Sequence, residues 1–511
     1  MDAALQGLVG AVRKRAPDLV DEWEATAWVE SFGWTDDRIR TAFGLSDTRA
    51  LGRYIYEHPL PGRVWSSPAA PAPAPPAQTH DQTAAAVAAG AYARTLIYAL
   101  PWLVMFAVEG LWPDTFDTQP EMAGPISVAV MLSLIATGGF VQAIARKGSF
   151  YLGMQQAIMA RHVGWLLWRT GAAGTALFAG TAFLLASYFD VFGSPTARLV
   201  ALSYFVMLSV LWLCCAMLSL QTPRWRVPTV FVAAGVVFVL VKSNLDGSAL
   251  AAQTAALIVA VTAAAVLCWD AFRTAARRDS RTERIVLPRL PVLLHSLVPY
   301  FVYGMAYFTF LFADRLSAGS ALPLQTGLPF GIAIDYKRGI DLAFLVFLIV
   351  AGAVECCNLL LMRYWRDQAH RTAVAEPLQQ ALERRRRYGA AAIVGIFIIG
   401  AVVAATVAHA VEFLTPAGYV IFIAGSTGYA LFAAGLLDAL TLFSLNRPAA
   451  VLRALLPALF VNLVSGYILS HIAGAEFAVA GLILGAALFA LGVRRGVAEA
   501  LKRPDYAYGW A

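Results

Sequence analysis

Long uncharged apolar stretches recur along this chain from about Ala91 to Gly492. Each stretch is close to the ~20 residues that an α-helix needs to cross the hydrocarbon core of a bilayer. The apolar residues run continuously rather than in alternation, which is not the pattern of a membrane β-barrel. Charged residues make up only 14% of the 511 residues, against about a quarter in soluble proteins. The sequence therefore predicts an all-α polytopic membrane protein.

Twelve membrane spans are predicted. Arg-rich hydrophilic segments after the sixth and the eighth span are the longest interruptions, so a division into two six-helix bundles is natural and resembles the two halves of many secondary transporters. The two halves show no convincing sequence identity to each other. The predicted spans cover residues 91–112, 123–145, 170–190, 198–220, 227–244, 249–269, 291–313, 340–362, 389–411, 418–442, 450–470 and 476–493.

The charges of the loops favour one orientation of these spans. If the N-terminus is cytoplasmic, the inward loops hold most of the Arg and Lys residues, and the outward loops hold few: Arg198, Lys242, Arg315, Lys337 and Arg338. This alternation is what the positive-inside rule requires. We therefore expect a multi-pass protein of the cytoplasmic membrane with both termini cytoplasmic. The net charge of +7 reflects this topology, so membrane lipid rather than nucleic acid is the expected partner.

Two further regions precede the predicted membrane domain, which covers residues 91–511. Residues 1–60 are polar and predict a small soluble cytoplasmic domain of short helices, which is marginal in size and is expected to contact a partner. Pro17 and Asp18 are predicted to open one of its helices, and Asp47 or Thr48 to cap the last. Residues 61–90 are predicted to form a linker, because 66–80 are rich in Pro and Ala and nearly uncharged.

Ionisable residues at membrane depth are costly and are candidate functional groups by default. Glu355, inside the eighth span, is either a protonatable group that couples transport to a proton gradient or a structural carboxyl group. Asp314 and Arg315 end the seventh span, and Asp341 begins the eighth at the same expected level. They form either an ion cluster at the mouth of a translocation path or an interfacial anchor. Asp438, in the tenth span, is a weaker candidate for an intramembrane charge.

The seventh span carries an aromatic ladder. Tyr300, Tyr303, Tyr307, Phe310 and Asp314 follow helical spacing and lie on one face. Aromatic rings with polar tips, ending in a carboxylate, would stack on sugar rings and bind their hydroxyl groups, which makes the ladder a candidate substrate path. The alternative is ordinary aromatic packing between helices.

Signatures of catalysis are missing from the sequence. There is no phosphate-binding GxxxxGK[ST] motif, no HExxH and no GxSxG. The five cysteines fall inside or at the ends of apolar spans without CxxC spacing, which supports neither a zinc site nor a disulfide framework. We therefore expect neither an enzyme nor a metal or organic cofactor.

Several stretches resemble a known family. They are PYFVYGMAYFTFLFADRLSAGS (299–320), LPF…DYKRGIDLAFL…GAVE (328–355), the region 428–470 with its LNRP loop, and the Tyr-rich end DYAYGW (505–510). Together they resemble the PelG-type exopolysaccharide exporters of the multidrug/oligosaccharidyl-lipid/polysaccharide flippase superfamily. The chain departs from that pattern in its extra N-terminal segment of about 90 residues and in Asp438.

The resemblance implies export of a nascent exopolysaccharide across the cytoplasmic membrane. It also implies a cytoplasmic glycosyltransferase and accessory membrane proteins as partners. Two alternatives stay open: a small-molecule, cation-coupled antiporter of the multidrug type, and a membrane scaffold of a polysaccharide synthesis complex that transports nothing itself.

Overall fold

The computed structural model describes residues 3–16, 19, 21–58, 88–90, 92, 120–154, 156–220, 226–244, 248–278, 290–322, 331, 333–369 and 375–502. These residues are helical with short connections, and no β-strand occurs among them. The chain divides into two compact units, Met1–Thr83 and Ala84–Ala511. The predicted linker 61–90 lies outside the described residues except for 88–90.

The first unit contains four short helices: α1 (Ala3–Arg15), α2 (Glu22–Ser31), α3 (Asp36–Phe43) and α4 (Thr48–Glu57). They surround an apolar core in which Val12, Val29 and Ile55 are fully buried. Helix α2 begins at Glu22 and is capped by Asp21, whose side chain accepts a hydrogen bond from Glu24 N. The predicted start at Pro17 and Asp18 lies outside the described residues.

The last helix of this unit confirms one of the two predicted caps. Asp47 caps α4, and its carboxylate accepts a hydrogen bond of 2.7 Å from Ala50 N. Helices α2 and α4 pack closely at Gly52. A Cβ atom built at this residue would lie only 2.8 Å from Thr26 N. The unit thus has a core of its own.

Eleven helices of the second unit are long and apolar enough to cross a membrane. They match eleven of the twelve predicted spans, and the remaining span, 91–112, lies outside the described residues except for Tyr92. The helices are α5 (Pro120–Gly153), α6 (Ala157–Tyr188), α7 (Pro195–Ser219), α8 (Arg226–Asn244), α9 (Ala249–Arg278), α10 (Leu290–Ala321), α11 (Ile334–Ala369), α12 (Ala375–Ala410), α13 (Pro416–Ser444), α14 (Pro448–Ala473) and α15 (Ala478–Leu501).

Successive helices run antiparallel, so the second unit has two faces. We call the face at which α5, α7, α9, α11, α13 and α15 end the arginine-rich face, since it carries Arg146, Arg226, Arg366, Arg447 and Arg494. The face at which α6, α8, α10, α12 and α14 end is called the opposite face. The arginine-rich face is the one that the positive-inside rule assigns to the cytoplasm.

The eleven helices form two bundles, each with its own apolar core. The first bundle contains α5–α9 and buries residues such as Ile144, Val163 and Leu213. The second contains α10–α15 and buries Phe347, Phe432 and many others around α13. Helix α12 lies at the edge of the second bundle and exposes aliphatic side chains such as Ile399, as expected of a face in contact with lipid.

Helices α5 and α10 join the two bundles through a close glycine contact. A Cβ atom built at Gly304 would meet the carbonyl oxygen of Gly138 and lie 2.6 Å from its carbonyl carbon. A Cβ atom at Gly139 would lie 2.7 Å from the ring of Phe301. Only glycine allows the two backbones to approach this closely, as at other small-residue helix contacts in membranes.

Candidate functional site

A cavity of about 320 Å³ lies between the two bundles. Its walls come from α5, α7, α8 and α9 of the first bundle and from α10 and α11 of the second. The lining residues lie toward the opposite face: Ile126 is near the start of α5, and Lys337 is near the start of α11. The cavity therefore occupies the half of the membrane body next to the opposite face.

The first-bundle wall of the cavity is apolar and aromatic. Trp212, Phe231 and Phe238 line it. The indole Nε1 of Trp212 donates a hydrogen bond of 3.2 Å to Ser133 Oγ, which fixes the ring. The described lining residues of this wall carry no charge, and Gln253 is among the few polar groups. Such a wall suits the apolar part of a ligand.

The second-bundle wall is ionic. Arg315 of α10 donates two hydrogen bonds to Asp341 Oδ1 of α11, from Nε at 3.0 Å and from Nη2 at 2.8 Å. Lys337 Nζ lies 3.1 Å from the other carboxylate oxygen of Asp341. All three residues line the cavity. Lys337 and Asp341 lie one turn apart on α11, which places both charges on one helix face.

Asp314 lies behind this wall and is fully buried. Its Oδ2 accepts a hydrogen bond of 2.9 Å from the hydroxyl group of Tyr336. Arg315 Nη1 also donates to the hydroxyl oxygen of Tyr429 at 2.9 Å and to the carbonyl oxygen of Leu311 at 3.1 Å. The structure thus brings Asp314, Arg315 and Asp341 into one cluster with Lys337, in which two carboxylates are balanced by two cations. Asp314 is the member that does not line the cavity. Whether this cluster binds a coupling ion stays a prediction.

The aromatic ladder does not line the cavity. Tyr300, Tyr303 and Phe310 are buried, and the ladder faces the second bundle. Phe310 stacks on Phe432 with ring centroids 4.7 Å apart, and Tyr303 meets Phe443 edge-on at 4.6 Å.

Helix α10 turns the other side, with Phe312, Arg315 and Ala318, toward the cavity. Tyr307 is half-buried and also packs against the second-bundle core. In this conformation the ladder forms helix packing, which was the alternative interpretation. A substrate path along it stays a prediction.

Asp438 and Glu355 lie away from the cavity. Asp438 is buried and accepts two hydrogen bonds from Arg386 Nη1, of 2.9 and 2.8 Å, across α12 and α13. Its charge is therefore balanced inside the second bundle. Glu355 is half-buried on α11, and the adjacent Cys356 Sγ lies 3.0 Å from the carbonyl oxygen of Ala88.

The arginine-rich side of the bundle interface is closed. Arg146 of α5 donates a hydrogen bond of 3.3 Å to Asn446 Oδ1, in the turn between α13 and α14. The same oxygen accepts a hydrogen bond of 3.4 Å from the hydroxyl group of Tyr300, and the Arg146 guanidinium lies 5.0 Å from the Tyr300 ring centre. Together with the contact between Gly138 and Gly304, these groups join the two bundles on this side.

Several residues of the cluster were not singled out from the sequence. Lys337 was assigned only to an outward loop, although its spacing of four residues from Asp341 indicates a shared helix face. Outside this cluster, Arg386, which pairs with Asp438, counted in the sequence only as one of the many basic residues of the inward loops. Tyr336 and Tyr429 gave no signal of their own, because their partners are distant in sequence.

The described residues contain no group of three or more His, Cys, Asp or Glu side chains able to hold a metal ion. All five cysteines are free thiols.

No protein-family model matches the sequence, and no curated protein matches it. Solved structures do. The crystal structure of a mutant of the Vibrio cholerae MATE transporter VcmN matches with a TM-score of 0.57 and 16% identity, over 82% of this chain and 98% of that chain. A multidrug resistance MATE family transporter of the MOP superfamily matches in its outward-facing conformation, with a TM-score of 0.52 and 14% identity over 81% and 97%. An inward-facing structure with the same description gives 0.52 and 13% over 80% and 95%. At these identities the likeness shows the fold alone, and this chain has the fold of the MATE transporters.

Proposed function

We propose that this chain is a membrane transporter that exposes the cavity between its bundles alternately to the two faces. The observation that carries the proposal is the asymmetry of the bundle interface. A cavity lies in the half next to the opposite face, while Gly138, Gly304, Arg146 and Asn446 close the other half. MATE-fold structures described as outward-facing and inward-facing both match this chain, which supports the same two states here.

For the substrate we propose an exopolysaccharide that is exported from the cytoplasm. The support is the resemblance of 299–320, 328–355 and 428–470 to the PelG-type exporters. A cavity of about 320 Å³ is at the small end of ligand pockets, so it would hold a short saccharide segment at a time. The arginine-rich face would then be cytoplasmic, with both termini on that side.

The same proposal includes partners. A cytoplasmic glycosyltransferase would supply the polymer at the arginine-rich face, and accessory membrane proteins would complete the complex. The first unit, with its own core, is suited to contact such a partner. Deletion of residues 1–80 is expected to reduce polymer output and leave the protein in the membrane.

The second candidate is an antiporter of small organic molecules. It is favoured by the apolar and aromatic first-bundle wall and by the description of the matched structures as multidrug resistance transporters. The two candidates differ in what is lost when the gene is removed.

The experiment that separates these candidates uses a strain that lacks only this gene. Export of polysaccharide predicts loss of extracellular polymer, with polymer retained inside or with stalled synthesis, and unchanged sensitivity to organic toxins. The antiporter predicts unchanged polymer and raised sensitivity. Unchanged values of both would refute transport of either class.

Complementation with two tryptophan variants tests whether the cavity carries the transport. Ala256→Trp would fill the cavity, since Ala256 lines it. Ile258→Trp, on the same helix, is the matched control, because Ile258 is 51% exposed on the outer surface. We expect Ile258→Trp to restore the activity that the deletion strain has lost and Ala256→Trp to fail to restore it. Full activity of both variants, present at equal levels in the membrane, would favour a scaffold without transport.

A further inference from the structure

The ionic wall of the cavity has no net charge to offer a ligand. Arg315 and Lys337 are both paired with Asp341, and Arg315 also lies 3.4 Å from Asp314 Oδ1. Two cations and two carboxylates cancel. The Lys337 ammonium nitrogen is buried, and the side chains of Arg315 and Asp341 are only 10% and 7% exposed. A charged ligand of either sign would have to break an existing ion pair or enter an apolar cavity without a counter-charge, and both are costly.

Most other polar side chains of the cavity wall are engaged as well. Three hydrogen bonds account for them: from the Tyr336 hydroxyl group to Asp314, from the Trp212 indole to Ser133, and between the hydroxyl groups of Tyr204 and Thr254. These groups therefore hold the walls together and are not available to a ligand without loss of a bond.

Ser127 of α5 and Gln253 of α9 are different. Both line the cavity, and neither side chain makes a hydrogen bond to another residue that the structure describes. Ser133, further along α5, instead donates to the carbonyl oxygen of Val130. Ser127 and Gln253 are half-buried, and their polar atoms are not sealed from solvent. A hydroxyl group and an amide thus present donors and acceptors to the cavity without any charge.

The uncharged polar groups and the aromatic rings occupy different levels of the cavity. Ser127 lies about two turns after the start of α5, and Gln253 about one turn after the start of α9, so both are near the opposite face. Trp212 and Phe231 lie more than about three turns from that face along α7 and α8. Their ring centroids are 6.4 Å apart with a tilt of 31°, which gives a joint apolar surface at the inner end.

From this arrangement we propose that the cavity selects an uncharged glycoside, whose hydroxyl groups bind Ser127 and Gln253 and whose apolar or aromatic part packs on Trp212 and Phe231. Hydroxyl groups suit these two residues, because they pair with an amide and a hydroxyl group without a charge leaving water. An acidic or basic sugar finds no counter-charge at the same place. The inference rests on the proposed transport function, because it takes the same cavity as the substrate site and names the charge class that the site accepts.

The test measures binding to the full chain in nanodiscs of phosphatidylcholine, with empty nanodiscs as the reference. Three probes share a para-nitrophenyl group and a pyranose ring and differ in charge. They are the β-glucoside, the β-glucuronide and the β-glycoside of glucosamine with a free, protonated amine. Calorimetric titration gives the affinity of each probe. We expect the glucoside to bind on the order of tenfold more tightly than either charged probe.

Variants of the two polar residues locate the selectivity. Ser127→Ala and Gln253→Leu are each expected to weaken binding of the glucoside about fivefold, because each removes one hydrogen-bonding group. Gln253→Glu is expected to favour the glucosamine glycoside over the glucuronide, because it adds the missing counter-charge. Ser203→Ala is the matched control: Ser203 is exposed on α7, donates to the carbonyl oxygen of Leu199 and does not line the cavity. It is expected to leave all three affinities unchanged.

Several results would overturn the inference. They are binding of a charged probe as tight as that of the glucoside, an unchanged affinity for the glucoside in both Ser127→Ala and Gln253→Leu, an equal loss in Ser203→Ala, or binding of none of the probes. A gain of the glucosamine glycoside in Gln253→Glu supports the inference even where Gln253→Leu yields too little folded protein to titrate.

Complementation with Ala256→Trp judges the proposed transport function separately. If the glucoside shows no preference and Ala256→Trp still fails to restore the lost activity, the cavity carries transport and the assignment of an uncharged ligand is wrong. If the glucoside binds as expected and Ala256→Trp restores full activity, the ligand assignment stands and transport through the cavity is wrong.

Discussion

The glycine contact between α5 and α10 permits a quantitative test of the closed side. In Gly304→Ala the new methyl group would meet the carbonyl oxygen of Gly138 and lie 2.6 Å from its carbonyl carbon. Ordinary van der Waals contacts of Cβ begin at 3.4 Å. The obstacle is backbone, which cannot rotate away as a side chain can, so the helices have to separate by roughly 1 Å.

The cost of this separation sets the expected effect. Overpacking of a tight contact costs about 1–3 kcal/mol. The clash exists only where α5 and α10 touch, so the closed arrangement carries this cost and an arrangement with separated helices does not. A difference of that size shifts an equilibrium by about 5- to 150-fold. Gly304→Ala is therefore expected to populate states in which the arginine-rich side is open.

Pulsed EPR distances measure that population. Spin labels at Met154, which directly follows α5, and Arg453, which lies on α14, report on the two bundles at the arginine-rich face, and both positions are exposed. The five native cysteines are replaced first. We expect Gly304→Ala to add a longer distance that is rare in the parent. Gly395→Ala on α12 is the control, because a Cβ atom there meets nothing within 4 Å.

An unchanged distance distribution in Gly304→Ala, with normal thermal stability, would show that the contact is not part of the closed side. A longer distance in Gly395→Ala as well would show that any added methyl group perturbs the helices. Either result would refute the reasoning from the close backbone approach.

Two other predictions concern charged groups. Asp438→Asn is expected to destabilise the protein in detergent by about 3–5 kcal/mol, because it leaves Arg386 buried without its carboxylate. The double change Arg386→Met/Asp438→Leu is expected to cost much less, because it removes both charges. Unfolding curves of the parent and the two variants measure the free energy of unfolding, and an equal loss of stability in both variants would contradict the prediction. In the first unit, hydrogen bonds from Arg53 and Arg49 lower the pKa of Glu22 from its ordinary 4.5 to about 2. The pairs therefore stabilise the fold above pH 4.5, and this contribution is lost as the pH falls toward 2. An NMR titration of the Glu22 carboxyl carbon in residues 1–58 should give this low pKa, and Arg53→Gln should raise it; a midpoint near 4.5 in the parent would refute the pairing.

Eleven of the twelve predicted spans correspond to described helices, but the sequence did not locate the ends of these helices. Span 340–362 is part of a helix that covers Ile334–Ala369, and span 389–411 belongs to Ala375–Ala410. Hydropathy falls where charged residues such as Arg366 appear, whereas the backbone hydrogen bonds of a helix continue past the membrane surface. Apolar runs therefore locate the buried part of each helix and not its termini.

Helical spacing predicted which residues of α10 share a face, and it left open what that face contacts. Tyr303 and Phe310 pack into the second bundle because α13 brings Phe432 and Phe443 against them. Partners more than 100 residues away along the chain are not visible in a local pattern. The pairing of Asp438 with Arg386, 52 residues apart, escaped prediction for the same reason.

Helix α10 connects the two ends of the bundle interface. Arg315 lies at the cavity, and Tyr300, fifteen residues earlier, lies at the closed side about 22 Å away along the helix axis. Between them, the aromatic ladder packs into the second-bundle core, so α10 can move against α5 only together with that core. Gly304, where the two helices touch, lies between these ends. Any rearrangement at Arg315 that turns the second bundle against the first must therefore change the contact at Gly304 and the hydrogen bonds at Asn446 as well. The ladder thus anchors α10 in the second-bundle core between the cavity and the closed side. In the proposed transport cycle this anchoring would link the two ends of the interface without any contact between the rings and a substrate.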